Sequence, residues 1–147
     1  MKKARKINGL NKTLNQGPAT FKHDQVAKAL LEVQDTLERA MTPFVLLEGI
    51  AKQLYDEQPF ELKEITIGIK EKDWTRYGST TFKMLRPEAE FSNDSVYLSS
   101  SGVPVIIWII HKNYKFFDNP DFKWFARTEF YIPNPFANYW KARFLIK

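Results

Sequence analysis

The chain has 147 residues, of which 44% are apolar and 15% aromatic, and this length and composition suit one domain with a hydrophobic core. Its apolar runs fall short of the roughly 18 residues that a membrane helix needs, and its basic start lacks the apolar stretch of a secretory signal. We therefore expect no membrane insertion and a cytoplasmic or particle-associated protein. The sequence has no cysteine, which excludes disulfides, thiolate zinc sites and cysteine nucleophiles.

Positive charge is concentrated at the start of the chain. Residues 1–23 contain six bases and no acid, whereas the remaining residues contain 16 bases and 17 acids. Such a polar segment buries too little apolar surface to fold alone, so we predict a basic flexible or extended arm (residues 1–22) before a single domain (residues 23–147). The arm is either a solvated tail or a tether to phosphates or to an acidic protein surface. Its candidate binding residues are Lys2, Lys3, Arg5, Lys6 and Lys12.

Apolar spacing then predicts a helix, a buried strand and a second helix. From about Asp24 to Met41, apolar residues recur every three or four positions, as on one face of a helix, at Val26, Leu30, Val33, Leu37 and Met41. The all-apolar residues 44–47 predict a buried strand. Gly49 predicts a turn into a short helix from Ile50 to about Asp56.

The next strand is predicted from Glu64 to Lys70 because its residues alternate in character. The isoleucines at 65, 67 and 69 share one face, which we expect to pack on the core. The opposite face carries polar or small residues and is expected to be solvated; it consists of Glu64, Thr66, Gly68 and Lys70.

The later segments are predicted to add further strands and a final helix. We predict strands near residues 80–85 and 95–98, a turn at 99–102, and a central strand at 103–110 that is apolar on both faces. Residues 111–130 are predicted to be irregular, and a final helix is predicted from about Pro135. This order of elements predicts an α+β fold with a mixed β-sheet flanked by helices.

Three motifs in this order resemble the nucleotidyltransferase fold, especially its LicD-like branch and the small antitoxin-type nucleotidyltransferases. In that family a strand ends at a glycine pair, a short helix follows, the next strand carries Asp-x-Asp, and a later strand carries a third aspartate. The glycine pair corresponds here to Glu48 and Gly49, and the Asp-x-Asp pair to Glu64 and Thr66 within "ELKEITIGI". The third aspartate corresponds to Ile106 within "GVPVIIWI", and "FYIPNPFANYWKARF" is similar to the family's ending.

The resemblance implies a two-metal site, in which three carboxylates hold divalent ions and the glycine pair lets the backbone approach phosphates. This chain offers Glu64 alone, because Thr66 is neutral, Ile106 has no ligand atom and Glu48 is negative where a phosphate would lie. We therefore expect a degenerate catalytic motif and no cofactor. The predicted role is a binding or assembly component, for instance of a phage or other large particle, that acts through its basic arm and aromatic C-terminal region. Its predicted partners are protein subunits or nucleic acid.

Two alternatives stay open. The first is a divergent metal-dependent nucleotidyl- or phosphotransferase that uses Glu64 and Mg²⁺, although an acid at a strand start is more often a solvated surface group. The second is a nucleic-acid-binding accessory protein that uses the arm and the aromatic segment near the C-terminus. In that segment Lys115, Lys123 and Arg127 alternate with rings that either stack on bases or pack beneath the sheet.

Overall fold

A computed structural model describes residues 20–56, 61–112, 121–125 and 128–132. In chain order, the first elements are β1 (Phe21–Lys22), α1 (His23–Arg39), β2 (Val45–Leu47), α2 (Glu48–Asp56), β3 (Glu61–Leu62) and β4 (Ile65–Lys70). A continuous helical segment follows, made of α3 (Glu71–Asp73), a π-helical turn (Trp74–Gly78) and α4 (Ser79–Leu85). The last elements are β5 (Glu90–Phe91), β6 (Ser95–Ser100), β7 (Val103–Ile110), β8 (Asp121–Phe125) and β9 (Thr128–Ile132).

A five-stranded mixed sheet forms the centre of the fold, with strand order β2-β4-β7-β6-β5. Strands β4 and β7 run parallel, and the other neighbours run antiparallel. Two short two-stranded sheets, β1-β3 and β8-β9, accompany it. The predicted α+β fold with a mixed sheet flanked by helices is thereby confirmed.

Helix α1 covers one face of the central sheet. Four of the five predicted stripe residues are fully buried, and they pack with the isoleucines of β4 and alternate residues of β7. The fifth, Met41, is 67% exposed, so its predicted place in the stripe is wrong. The helix ends at Arg39, and Met41 adopts a left-handed backbone with φ of 53° that carries its side chain off the helical face.

Strand β4 is buried on both faces, which corrects the prediction of a solvated polar face. Thr66 is only 4% exposed and Gly68 is buried as well. A strand hydrogen-bonded on both edges lies in the sheet interior, and here apolar residues of β2 and β7 flank it. A Cβ at Gly68 would lie 2.7 Å from Leu47 Cδ1 and 3.0 Å from Ile110 Cδ1, so glycine leaves room for these two side chains.

The predicted strand near residues 80–85 is wrong, because Ser79–Leu85 is helical. The adjacent threonines at 80 and 81 favour a strand locally. In the folded chain, helical geometry instead places Phe82 on the same side as Trp74, with ring centroids 5.7 Å apart. Phe82 is fully buried, and its burial outweighs the local preference.

The predicted irregular segment at residues 111–130 is wrong in part, because β8 and β9 form an antiparallel hairpin. Phe130 and Ile132 are buried and alternate with exposed Glu129 and Tyr131, which is the two-residue period of a strand. Phe130 contacts Phe44 with ring centroids 6.3 Å apart, and this contact joins the hairpin to the main core. The helix predicted from Pro135 lies outside the described residues.

Candidate functional site

Two of the candidate positions, Thr66 and Ile106, lie side by side on adjacent strands, and Glu48 lies at the same end of the sheet. The register pairs Leu47 of β2 with Thr66 of β4, and Thr66 with Ile106 of β7. Glu48 follows Leu47 directly, so the end of β2 delivers it and Gly49 to the same end of the sheet. The topology thus brings together the residues predicted to correspond to the glycine pair, the second Asp-x-Asp position and the third aspartate.

Glu48 has a backbone conformation that usually requires glycine. Its φ is 55°, in the left-handed region, and it opens helix α2 at the point where β2 ends. Gly49 lies close to β3, since a Cβ there would be 3.2 Å from Leu62 Cδ2. The backbone therefore makes the sharp strand-to-helix turn that a glycine pair makes, with a half-buried acidic side chain on its first residue.

Thr66 and its neighbours form a largely apolar surface. Leu47 is fully buried, Ile106 is half-buried, and Thr66 has a buried side chain. Within the described part of the chain, no hydrogen bond to the Thr66 hydroxyl is found. Glu64 lies just before β4 and is exposed.

Other candidate residues lie beyond what the structure describes. The arm residues Lys2, Lys3, Arg5, Lys6 and Lys12 precede its first described residue, and Lys115 and Arg127 fall in its gaps. Lys123 contributes backbone to β8 opposite Phe130, and only that backbone is described. A role for any of these eight residues in binding stays a prediction.

A charged cluster that the sequence does not reveal lies at the opposite end of β4 and β7. His111 follows β7 directly; its Nδ1 lies 3.0 Å from Glu71 Oε2 and its Nε2 lies 3.0 Å from Asp94 Oδ1. The hydrogen bond with Asp94, and then that with Glu71, raise the pKa of His111. Both ring nitrogens are engaged by carboxylates, so this histidine joins β7, the α3 start and the β5–β6 turn. Seventeen positions separate His111 from Asp94, and no sequence motif signals the contact.

Across the described ranges, no cluster of three or more histidine and acidic side chains is arranged to hold a metal ion. Among the helices of those same ranges, none combines the length and apolar character needed to cross a bilayer.

Comparison with known proteins finds a solved structure of similar fold. No protein-family model matches the chain, and no curated protein matches it. The crystal structure of a candidate nucleotidyltransferase from Thermotoga maritima is similar, with a TM-score of 0.63 and 14% identity, over 85% of this chain and 86% of that one. Identity this low establishes shape alone. The chain therefore has a nucleotidyltransferase-like fold.

Proposed function

We propose that this protein belongs to a LicD-like or antitoxin-type branch of the nucleotidyltransferase fold with a degenerate catalytic motif. In this proposal it acts as a binding or assembly component and does not transfer nucleotides. The observation that supports the proposal most directly is the in-register row Leu47, Thr66 and Ile106. Two of the family's three carboxylate positions in this region hold a buried hydroxyl and a half-buried aliphatic chain.

The donor set does not fit the metal that nucleotidyl transfer requires. Mg²⁺ prefers hard oxygen ligands in octahedral geometry, and a two-metal site needs several carboxylates within a few ångströms. Glu64 supplies one exposed carboxylate, and Glu48 adds negative charge at the position where the family's backbone approaches a phosphate. Losing one charge-stabilising group typically lowers a rate by about 10²–10³, so losing two leaves little transfer activity.

Activity and metal-dependent nucleotide binding test the inactive site. We expect no transfer of a labelled nucleoside monophosphate from any of the four nucleoside triphosphates, and no Mg²⁺- or Mn²⁺-dependent nucleotide binding by calorimetry. The matched control for Glu64→Gln is Glu90→Gln, an exposed glutamate on the sheet edge strand β5. Metal-dependent nucleotide binding that Glu64→Gln abolishes and Glu90→Gln preserves would favour a divergent transferase instead.

The basic arm is the proposed tether, and its positive charge predicts that polynucleotide affinity depends on salt concentration. Phosphate contacts release counterions, so the logarithm of the affinity falls with the logarithm of salt concentration by about 0.7–0.9 per contact. We expect polynucleotide binding with such a slope, and a smaller slope when Lys2, Lys3, Arg5, Lys6 and Lys12 become glutamine. An unchanged slope in that variant would assign binding to another surface.

The assembly role predicts a defined complex in the native source. Purification of the full chain under mild salt should recover other protein chains in fixed stoichiometry. A monodisperse monomer that recovers neither protein nor nucleic acid would contradict the assembly role and leave the fold assignment unaffected.

A further inference from the structure

A cleft lies between the C-terminal part of α1, the connection to β2, and strand β9. Its volume is about 330 Å³, and its walls include Gln34, Glu38, Met41, Phe44, Glu129 and Tyr131. Glu38 and Glu129 are exposed, and Tyr131 and Met41 are 43% and 67% exposed. The ring contact between Phe44 and Phe130 joins the α1–β2 connection to the β8–β9 hairpin, and these two rings form the floor of the cleft.

The walls suit a long aliphatic chain that ends in a cation. Two carboxylates line the cleft, and none of the lining residues in the described part of the chain is basic. Aromatic faces attract ammonium and guanidinium groups, and a methionine side chain adapts its shape to the chain of atoms beside it. Lysine and arginine combine an aliphatic stem with a charged end. The ligand class that matches this cleft is therefore a basic peptide segment.

The chain itself carries a segment of this chemistry within reach. Gln34 and Glu38 lie 11 and 15 residues after His23, which places them about 17 and 23 Å along the axis of α1. Lys12 lies eight residues before Thr20 and Lys6 lies fourteen before it, so extended chain spans up to about 29 and 50 Å. A tethered segment also has an effective concentration in the millimolar range, which favours it over a free partner.

We propose that this cleft, here called the α1–β9 cleft, binds the basic segment 2–12 of the same chain. Glu38 and Glu129 pair with lysine or arginine side chains, and Tyr131 and Met41 contact their stems. The segment is then held on its own domain until a polyanion or an acidic partner surface competes for it. The inference rests on the proposed tether role of the arm. It adds a site on the domain that the arm occupies when no polyanion or acidic partner is bound.

Zero-length carbodiimide cross-linking of the full chain tests the contact. We expect mass spectrometry to find Glu38 or Glu129 joined to Lys2, Lys3, Lys6 or Lys12. The Lys22–Glu61 pair, with Nζ and Oε2 3.7 Å apart, is an internal positive control. Mixing isotope-labelled and unlabelled chains distinguishes contacts within one chain from contacts between copies. Recovery of the control link with no arm link, or arm links only between copies, would overturn the proposal.

Protease accessibility tests the same contact through the carboxylates. Trypsin cleaves after the basic residues of the arm, and docking slows this cleavage. We expect Glu38→Gln and Glu129→Gln each to accelerate arm cleavage by roughly twofold to fivefold at low salt. The control Glu90→Gln should match the unmodified chain, and about 0.5 M salt should remove the differences by screening. Equal cleavage rates in all four proteins at low salt would refute the docking.

This inference and the proposed function fail separately. If no arm link forms but polynucleotide binding keeps its arm-dependent salt slope, the arm is a tether without a resting site in the cleft. If arm links form but the arm binds no external polyanion or partner, the tether role fails and the cleft assignment stands.

Discussion

Gly68 is the residue whose identity the packing constrains most tightly in the candidate site region. The Leu47 and Ile110 side chains meet above it from the two neighbouring strands, 2.7 and 3.0 Å from the place where a Cβ would stand. The "IGI" sequence of β4 thus allows close packing between β4 and its two neighbouring strands.

Gly68→Ala should therefore destabilise the fold. Real Cβ atoms do not approach others so closely, so the alanine forces two buried side chains out of their positions, at a cost of about 1–3 kcal/mol. Urea denaturation measures the change, and Ser99→Ala on the exposed part of β6 is the control. A free energy of unfolding within error of the unmodified chain would mean that Leu47 and Ile110 move aside freely.

Substitution of Thr66 tests whether its hydroxyl contributes to stability or serves a bound ligand. Its side chain is buried, and its hydroxyl has no hydrogen bond to the described part of the chain. Thr66→Val removes that polar group and keeps the shape, so we expect a gain in the free energy of unfolding of about 0.5–2 kcal/mol. A loss of stability of similar size, measured by the same denaturation, would show that the hydroxyl is satisfied and needed.

At the level of elements, polar contacts at both ends of β7 attach the β6–β7 hairpin to its neighbours. Ser101 and Gly102 have φ of 48° and 80° and form the two-residue turn of this hairpin. Next to the turn, the Ser100 hydroxyl donates a hydrogen bond of 2.7 Å to Glu32 Oε1 of α1. His111 joins β7 to Glu71 and Asp94 at the other end of the strand.

The Glu32 contact predicts acid-dependent stability. Hydrogen bonds from Ser100 and then Ser101 lower the pKa of Glu32 below its usual value of 4.5. A depressed folded-state pKa gives stability that is present above the unfolded value and lost as pH falls through the folded one. Glu32→Gln should thus be less stable than the unmodified chain at neutral pH, and the difference should vanish in acid. Thermal denaturation from pH 7 to 3 measures this, and a constant difference would contradict it.

The His111 cluster predicts that stability falls as pH rises, the opposite direction from the Glu32 contact. The carboxylates of Asp94 and Glu71 raise the pKa of His111 above 6.5. A raised folded-state pKa gives stability that is complete below the unfolded value and lost as pH rises through the folded one. The chain should lose stability on passing from below pH 6.5 to above the raised pKa, and His111→Gln should flatten that fall. Histidine NMR titration checks the pKa, and an unshifted or lowered value would refute the assignment.

Sequence periodicity predicted some elements well and others poorly, for identifiable reasons. Helix α1 and strand β7 were predicted because a long apolar stripe and a long apolar run have few other structural solutions. The α4 segment was predicted as a strand because its neighbouring threonines favour one, whereas burial of Phe82 against Trp74 determines its structure. The β8–β9 hairpin was missed because its two-residue alternation lies within a dense aromatic segment.

The candidate site could be predicted in part. The strand order places Leu47, Thr66 and Ile106 side by side, and the correspondence of Thr66 and Ile106 to the family's carboxylate positions stays a prediction from the motif resemblance. The left-handed φ of Glu48, the packing above Gly68 and the long-range contacts of His111 depend on folded geometry. Local sequence carries no signal for any of these three.

At the scale of the whole molecule, a nucleotidyltransferase-like fold and a basic arm are parts of one chain. The fold is shared with the Thermotoga maritima protein over 85% of this chain. Positive charge lies in the first segment and the rest of the chain is close to neutral. The excess positive charge therefore lies outside the strands that build the central sheet.

Binding of Mn²⁺ by the full chain, followed by electron paramagnetic resonance in the presence of a nucleoside triphosphate, tests the inactive site most directly. The signal of free Mn²⁺ falls when the ion is held in a protein–nucleotide complex. The proposed degenerate site predicts the same free Mn²⁺ with the protein as with nucleotide alone, in the unmodified chain and in Glu64→Gln alike. Retention of two ions per chain, lost in Glu64→Gln and kept in Glu90→Gln, would contradict the account.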